Sequence, residues 1–230
     1  MTMPPKHSIL YRQLWIGVIC MVLLGGFVAV QYYVQSKVTL PYSLHDEPAS
    51  NLGATVCDYY KSLQNGEWAH VCSPQHWVMN IGFMAYGVLL MLAAAFAVRG
   101  MWPAGRLRSL GIMLLFLGGI ELVIVGASPV NLTVILHNVA GFLALVALNT
   151  GLLVLGIAAF RTERMLAWFT LCCGLAGLTG FVMTFMPVPV YPWLGYGGWQ
   201  RVALNACVAW AVLTGLFWAG KLLFTKPAQR

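Results

Sequence analysis

The stretch Leu14–Val34, LWIGVICMVLLGGFVAVQYYV, decides the fold class of this chain. It contains no Asp, Glu, Lys or Arg, and a helix that spans a bilayer needs about 20 predominantly apolar residues. The stretch is too long for the apolar core of a secretory signal peptide, and it lacks a clean small-residue cleavage site. We therefore predict that it is retained as a first transmembrane helix.

Five further apolar stretches follow. The six together cover residues 14–34, 77–98, 109–127, 132–160, 165–186 and 202–224. The 230 residues are 60% hydrophobic and 8% charged, whereas soluble domains have about 25% charged residues. This composition excludes a soluble fold, which would expose large apolar patches. The sequence predicts an all-α, polytopic membrane bundle of six transmembrane helices, one domain over 1–230, with a larger outer loop at 35–76.

The distribution of positive charge predicts the orientation. With the N-terminus inside, ten cations lie on the cytoplasmic side: Lys6, Arg12, Arg99, Arg106, Arg108, Arg161, Arg164, Lys221, Lys226 and Arg230. Only Lys37, Lys61 and Arg201 lie on the other side. Cytoplasmic loops of membrane proteins carry an excess of Lys and Arg. We therefore predict a bacterial plasma (inner) membrane protein with both termini in the cytoplasm.

The net charge of +7 does not indicate nucleic acid, because no basic run is interleaved with aromatic residues. The expected partners are membrane lipids and a small-molecule or lipid ligand.

The outer loop contains Cys57 and Cys72, which are the two cysteines outside the predicted spans. Thiols oxidise outside the cytoplasm, so we predict a disulfide between them; two unpaired thiols are the alternative. The same loop contains His45, His70 and His76 without the spacing of a metal site. No metal and no cofactor are predicted.

Two ionisable residues lie inside predicted spans, where such groups usually face a partner or a cavity. Glu121 lies six residues before the outer end of the third span, and His137 lies six residues after the outer start of the fourth. Both should lie about 9 Å below the outer surface. A very short turn, 128–131, joins the two helices, so we expect Glu121 and His137 to be able to touch.

Other polar residues fall in the same outer layer: Asn80, Arg201 and Asn205. This layer has two interpretations. Its side chains can tie helices together, or they can form a ligand pocket or a proton relay. Haem ligation by His137 is disfavoured, because no second histidine lies at a suitable depth in a span.

Several short motifs occur in a characteristic order. They are Tyr42-Ser43, Ser50-Asn51-Leu52-Gly53, Ser73-Pro74, Asn80, Gly87, Gly126, Pro129, Asn131, His137, Gly198-Trp199-Gln200-Arg201-Val202 and Trp210. In this order the chain resembles the bacterial and archaeal "domain of unknown function 998" membrane family, related to the Frag, DRAM and Sfk proteins. The resemblance implies a six-helix fold and one outer-face constellation of Ser50, Asn51, Gly53, Pro129, His137 and Arg201.

The chain departs from the family pattern at two positions. The family usually has an acidic residue where Asn51 stands, and often Glu where Gln200 stands. Both differences remove negative charge near the proposed site, which shifts any acid–base role to Glu121.

Three functions remain open. The first is a non-enzymatic protein that binds a lipid headgroup or small ligand, with Arg201 contacting an anion. Its predicted ligand-binding residues are Ser50, Asn51, Asn80, Glu121, His137, Arg201 and Asn205. The second is an intramembrane hydrolase or other lipid-modifying enzyme with His137 as base, Glu121 orienting it, and Ser50 or Ser128 as nucleophile. The third is a small transporter or an immunity-type membrane protein.

Overall fold

A computed structural model describes residues 8–61, 68–186 and 193–224. Its six long helices are α1 Ile9–Gln35, α2 His76–Met101, α3 Arg106–Ala127, α4 Val134–Ala159, α5 Arg164–Thr184 and α6 Gly195–Phe224. Each is long and apolar enough to cross a membrane. The predicted all-α membrane fold with six spans is confirmed, and the chain is a multi-pass membrane protein. The predicted topology signals Lys6, Lys226 and Arg230 lie outside the described residues, as do residues 187–192, between the fifth and sixth helices.

The helices pack in the order in which they occur in the chain. Consecutive helices contact each other, α6 also contacts α1, and α4 contacts α6 across the bundle. Residues 36–75, the turn 128–133 and the start of α6 therefore lie at one end, which we call the loop end. The links 102–105 and 160–163 lie at the other, which we call the opposite end.

The largest boundary error concerns α6, which begins at Gly195 and not at residue 202. Its first N–H groups have no partner within the helix. The Gly197 and Gly198 N–H groups instead donate to the His45 carbonyl, at 2.8 and 3.3 Å. Gly195 has a φ of +62°, and a Cβ there would lie 2.2 Å from the same oxygen. The early helix start depends on a distant segment, which local sequence patterns do not reveal.

The segment between α1 and α2, which was predicted as a polar loop, contains regular secondary structure. Strands β1 (Cys57–Lys61) and β2 (Trp68–Cys72) form an antiparallel hairpin in which Cys57 is opposite Cys72. The predicted disulfide joins these two residues. Before the hairpin, a 3₁₀ turn at Ala49–Gly53 enters the loop end of the bundle.

Candidate functional site

The 3₁₀ turn Ala49–Gly53 is the centre of the loop end. All five of its residues are buried, although they belong to a connecting segment. Asn80 of α2 donates from Nδ2 to the Gly53 carbonyl at 3.0 Å, and Ser73 donates from Oγ to the Leu52 carbonyl at 2.7 Å. A Cβ at residue 53 would lie 2.3 Å from Asn80 Oδ1, so this close approach requires glycine. Asn80 therefore positions the turn.

Arg201 binds the segment that leads into the turn. Its Nη1 donates to the carbonyl oxygens of Leu44 (3.1 Å), Glu47 (2.7 Å) and Gly197 (2.9 Å). Its Nη2 donates to the Tyr42 hydroxyl, which donates in turn to the Pro48 carbonyl at 2.9 Å. The guanidinium thus satisfies backbone groups of an irregular segment. Four protein oxygens take up the two Nη groups, whereas the buried Nε has no hydrogen-bond partner among the described residues. The anion contact expected from the sequence stays a prediction.

Burial changes the acidity of two side chains in this segment. It raises the pKa of Tyr42 to about 12, although the Arg201 charge and hydrogen bond oppose the change. Burial also raises the pKa of the Glu47 carboxyl, against hydrogen bonds from the Ser43 N–H and the Asn51 amide. Asn51 therefore contacts the carboxylate of its own segment. The phenol of Tyr42 stays protonated at neutral pH and can donate its hydrogen bond.

Gln200 holds the other side of the turn. Its Oε1 accepts a 2.8 Å hydrogen bond from the Ala49 N–H. At the turn 128–133, Asn131 Oδ1 accepts from the Thr55 N–H at 2.9 Å, and Asn131 Nδ2 donates to Thr55 Oγ1 at 3.1 Å. The 42–55 segment is therefore tied to α2, α6 and the α3–α4 turn by side chains that the motif pattern had grouped together.

His137 lies in the first turn of α4, three residues after Val134. Its Nδ1 is 2.7 Å from the Ser128 carbonyl oxygen. A carbonyl only accepts, so Nδ1 carries the proton, and Nε2 of the neutral ring is an acceptor. Ser128 therefore orients the ring, whereas the hydrolase hypothesis had expected Glu121 to do so.

The expected contact between Glu121 and His137 is not formed. On α3 and α4, Gly111 faces Leu155, Gly118 faces Leu148 and Val125 faces Gly141. Glu121 is therefore level with Leu145, which is eight residues from His137, or about 12 Å along the helix axis. In the part of the chain that the structure describes, no ion pair joins them.

The reason is the turn between the two helices. We expected four residues, 128–131, but α4 begins at Val134, because the Pro129 carbonyl accepts from the N–H groups of Leu132 and Thr133. The additional residues shift α4 relative to α3, which moves His137 toward the loop end and leaves Glu121 deeper. Glu121 is partly exposed on the surface of α3.

Asn205 also lies apart from the turn. Its Oδ1 accepts a 2.9 Å hydrogen bond from Gln31 Nε2 of α1. Gln31 is 4% exposed and joins α1 to α6. We did not select Gln31 from the sequence, although it is the only strongly polar residue in the first apolar stretch.

A cavity of about 40 Å³ lies beneath the 3₁₀ turn. Three polar side chains line it, those of Ser50, His137 and Gln200. The apolar part of the lining comes from α2, α3, α4 and α6: Phe83, Leu122, Val125, Gly141, Ala144, Leu145 and Leu204. Neither the Ser50 hydroxyl nor Gln200 Nε2 has a hydrogen-bond partner among the described residues.

The structure thus divides the predicted site residues into three groups. Ser50 and His137 meet at the cavity, and Gln200 joins them. Asn51, Asn80 and Arg201 contact or hold the 42–55 segment. Glu121 and Asn205 lie elsewhere.

Comparison with known proteins gives a family match over most of the chain. A family model described as "Protein of unknown function (DUF998)" matches residues 22–217. The matched range includes the whole 42–55 segment, the cavity and all of α2 to α5. No curated protein and no solved structure shows significant similarity to the chain.

Proposed function

Since the chain belongs to the DUF998 family, whose description states no activity, we propose its function from the loop-end cavity. The protein binds a neutral, hydroxyl-bearing ligand, with a terminal hydroxyl group among Ser50, His137 and Gln200. The observation that carries the proposal is the convergence of these three side chains on one cavity in an otherwise apolar surround.

The donors and acceptors of the cavity define the ligand chemistry. His137 Nε2 accepts a hydrogen bond, Gln200 Nε2 donates, and the Ser50 hydroxyl does either. A ligand hydroxyl can donate to the imidazole and accept from the amide. An anionic group is disfavoured, because Arg201, the nearby cation, is engaged by the 42–55 segment. This replaces the anion contact expected from the sequence with a neutral polar contact.

The size and lining of the cavity suggest how the ligand approaches. A water needs about 10–15 Å³ of such volume, so about 40 Å³ accommodates about three non-hydrogen atoms. The remainder of the ligand lies outside. Gly141 is the one partly exposed residue of the lining, and a Cβ there would meet only Val125 Cγ2, at 3.9 Å. Entry past Gly141, from the membrane side of α4, favours a lipid headgroup or a lipophilic alcohol over a soluble polyol.

The proposed orientation follows from charge. Arg12, Arg99, Arg106, Arg108, Arg161, Arg164 and Lys221 lie at the opposite end of the bundle. We place this end in the cytoplasm, since cytoplasmic loops carry the excess of Lys and Arg. The loop end, with its disulfide, then faces outward from the bacterial inner membrane, and the ligand comes from the outer leaflet.

Lipid retention tests the proposal. The purified protein is reconstituted in nanodiscs with equal amounts of monoglucosyl-diacylglycerol and phosphatidylcholine, and retained lipid is measured by native mass spectrometry. The wild type should retain the glycolipid. Ser50→Ala should weaken retention about tenfold, since one lost hydrogen bond corresponds to about 1.4 kcal/mol. Gly141→Leu should abolish retention by closing the entry.

Gly220→Leu is the matched control, because a Cβ at this helical glycine meets nothing within 4 Å and Gly220 does not line the cavity. It should leave retention unchanged. Displacement of the glycolipid by free glucose would show that the ligand is a soluble sugar and not a lipid headgroup. No preference for the glycolipid over phosphatidylcholine in the wild type would refute the proposal.

Hydrolysis of an ester is a second candidate, favoured by the presence of Ser50 and His137 at one cavity. In such an enzyme, His137 Nε2 would take the Ser50 proton, and Ser50 Oγ would attack the ester carbonyl. The bond to the alcohol would break, His137 would return the proton to the leaving oxygen, and water would then hydrolyse the acyl-serine. No hydrogen bond joins the two side chains in the residues that the structure covers, so the ligand would have to bring them together. Labelling of Ser50 by a fluorophosphonate, lost in His137→Asn, would favour this candidate; no labelling would favour the binding protein.

A further inference from the structure

A groove of about 270 Å³ lies between α5 and α6 near the opposite end. Five of its six lining residues are apolar: Met165, Leu166, Phe169, Leu213 and Phe217. Met165 is 75% exposed and Leu213 is 53% exposed, so the groove opens on the outer surface of the bundle, where lipid lies. Its shape and lining suit an acyl chain.

Cations lie where the groove reaches the end of the bundle. Lys221 forms an ion pair with Glu163, and its Nζ lies 4.7 Å from the centre of the Phe217 ring. The ammonium group is therefore at the level of a groove residue. Arg161 and Arg164 are exposed on the adjoining link and at the start of α5, and no ion pair of either is formed within the described ranges. The local charge is positive.

Thr214 is the sixth lining residue and is 1% exposed. Buried threonines elsewhere in the bundle donate to the carbonyl four residues earlier: Thr170 to Leu166 and Thr184 to Gly180, both at 2.7 Å. The Thr214 hydroxyl has no partner among the residues described. A buried polar group without a partner calls for an explanation such as a missing ligand atom.

We propose that this groove is a specific site for one acidic phospholipid. The acyl chain occupies the apolar groove, the phosphate lies near Arg161, Arg164 and Lys221, and an ester carbonyl accepts from Thr214. The distance between Thr214 and the cations fits that between the ester groups and the phosphate of such a lipid. Thr214 is three residues from Phe217, about 5 Å along the helix axis. The ester groups of a glycerophospholipid lie one glycerol unit below its phosphate. Basic pockets between transmembrane helices bind anionic headgroups in this way.

The test is lipid competition on the whole protein. Nanodiscs contain equal amounts of phosphatidylglycerol and phosphatidylcholine with identical acyl chains, and lipid that stays bound is counted by native mass spectrometry. The wild type should retain one phosphatidylglycerol. Arg161→Gln with Arg164→Gln should reduce its preference for phosphatidylglycerol about 25-fold, at about fivefold per cation. The matched control, Arg99→Gln with Arg106→Gln, removes the same charge at the same end but away from the groove, and should preserve the preference.

Two further variants test the groove itself. Thr214→Val keeps the shape of the side chain but removes its hydroxyl. It should weaken the retention of both lipids about fivefold without changing the ratio of retained phosphatidylglycerol to phosphatidylcholine. Leu213→Trp fills the groove and should abolish retention. Equal retention of both lipids by the wild type would overturn the proposal. So would an equal loss of the preference for phosphatidylglycerol in the arginine variant and in its control. So would a dimer that Leu213→Trp converts to a monomer, since the groove would then be an interface between copies.

Discussion

At the loop end, buried polar side chains bind the backbone of an irregular segment, whereas in the middle of the bundle they bind helices, either their own or a neighbouring one. Arg201 satisfies carbonyls of residues 44 and 47, and Asn80 satisfies that of Gly53. In the middle, Thr170 bonds its own helix and Asn149 bonds the Leu145 and Ala203 carbonyls. Irregular backbone at membrane depth must be satisfied by protein. A polar residue near the end of a span can therefore hold a buried segment without contacting any ligand.

The two regions also differ in the substitutions that they tolerate. The middle depends on close helix approach, because a Cβ on Gly177 would lie 1.7 Å from Asn149 Oδ1. The loop end also has close approaches, at Gly53 and Gly195, but it depends in addition on hydrogen bonds, which polar variants can replace in part. Four substitutions test this comparison, with effects on the free energy of unfolding measured in detergent.

Arg201→Met should have the largest effect, a loss of about 3–5 kcal/mol, since several buried carbonyl groups and the Tyr42 hydroxyl lose their donor together. Arg201→Lys should recover only part of this loss, because an ammonium lacks the planar set of donors of a guanidinium. Denaturation midpoints of the two variants measure the effect. A loss below about 1 kcal/mol in Arg201→Met would show that the 42–55 segment is held by other contacts.

Gly177→Ala should lower the free energy of unfolding by about 2–3 kcal/mol, the range for an overfilled core. The clash is with Asn149, so the same change in an Asn149→Ala background should cost much less. Equal costs in both backgrounds would contradict the proposed clash. Gly26→Ala is the control, because a Cβ at residue 26 meets nothing within 4 Å.

Much of this architecture could be predicted from sequence because it depends on composition. Runs of about 20 apolar residues identify the helices without knowledge of their partners. The disulfide was predictable as well, since only Cys57 and Cys72 lie outside the spans. The hairpin and the buried 3₁₀ turn were missed. The turn is held by the distant residues Asn80 and Gln200, which no local sequence pattern reveals.

The candidate site was predicted less well, for a geometric reason. The family resemblance grouped His137 and Ser50 in one outer-face constellation, and the structure brings both to one cavity. The sequence did not reveal the length of the α3–α4 turn, so Glu121 was expected at the wrong level. Hydrogen bonds of the Pro129 carbonyl set that length, and no local pattern specified them.

Tyr42→Phe should cost about 1–2 kcal/mol at neutral pH, because the Pro48 carbonyl and Arg201 both lose a partner. Its pH dependence is distinctive. Burial raises the pKa of Tyr42 from the ordinary value of about 10 to about 12. Folding therefore favours the neutral phenol, so its contribution is complete below pH 10 and is lost as the pH rises toward 12. The stability advantage of the wild type over Tyr42→Phe, followed by denaturation at increasing pH, should disappear across this range. An advantage that persists to pH 12 would contradict the buried position of the phenol.

Glu121→Gln should have the smallest effect, a change within about 0.5 kcal/mol and not a clear loss, since Glu121 has no ion-pair partner among the described residues. A charge that faces lipid is unfavourable, so its removal can even stabilise. His137→Phe should cost more, because the Ser128 carbonyl loses its donor.

The double variant decides whether Glu121 and His137 are apart or in contact. If the α3–α4 register is as the structure has it, the two effects add within about 0.5 kcal/mol, as for distant sites. A larger coupling energy would mean that the carboxylate and the imidazole touch, and the polar layer would then extend deeper than the 42–55 segment reaches.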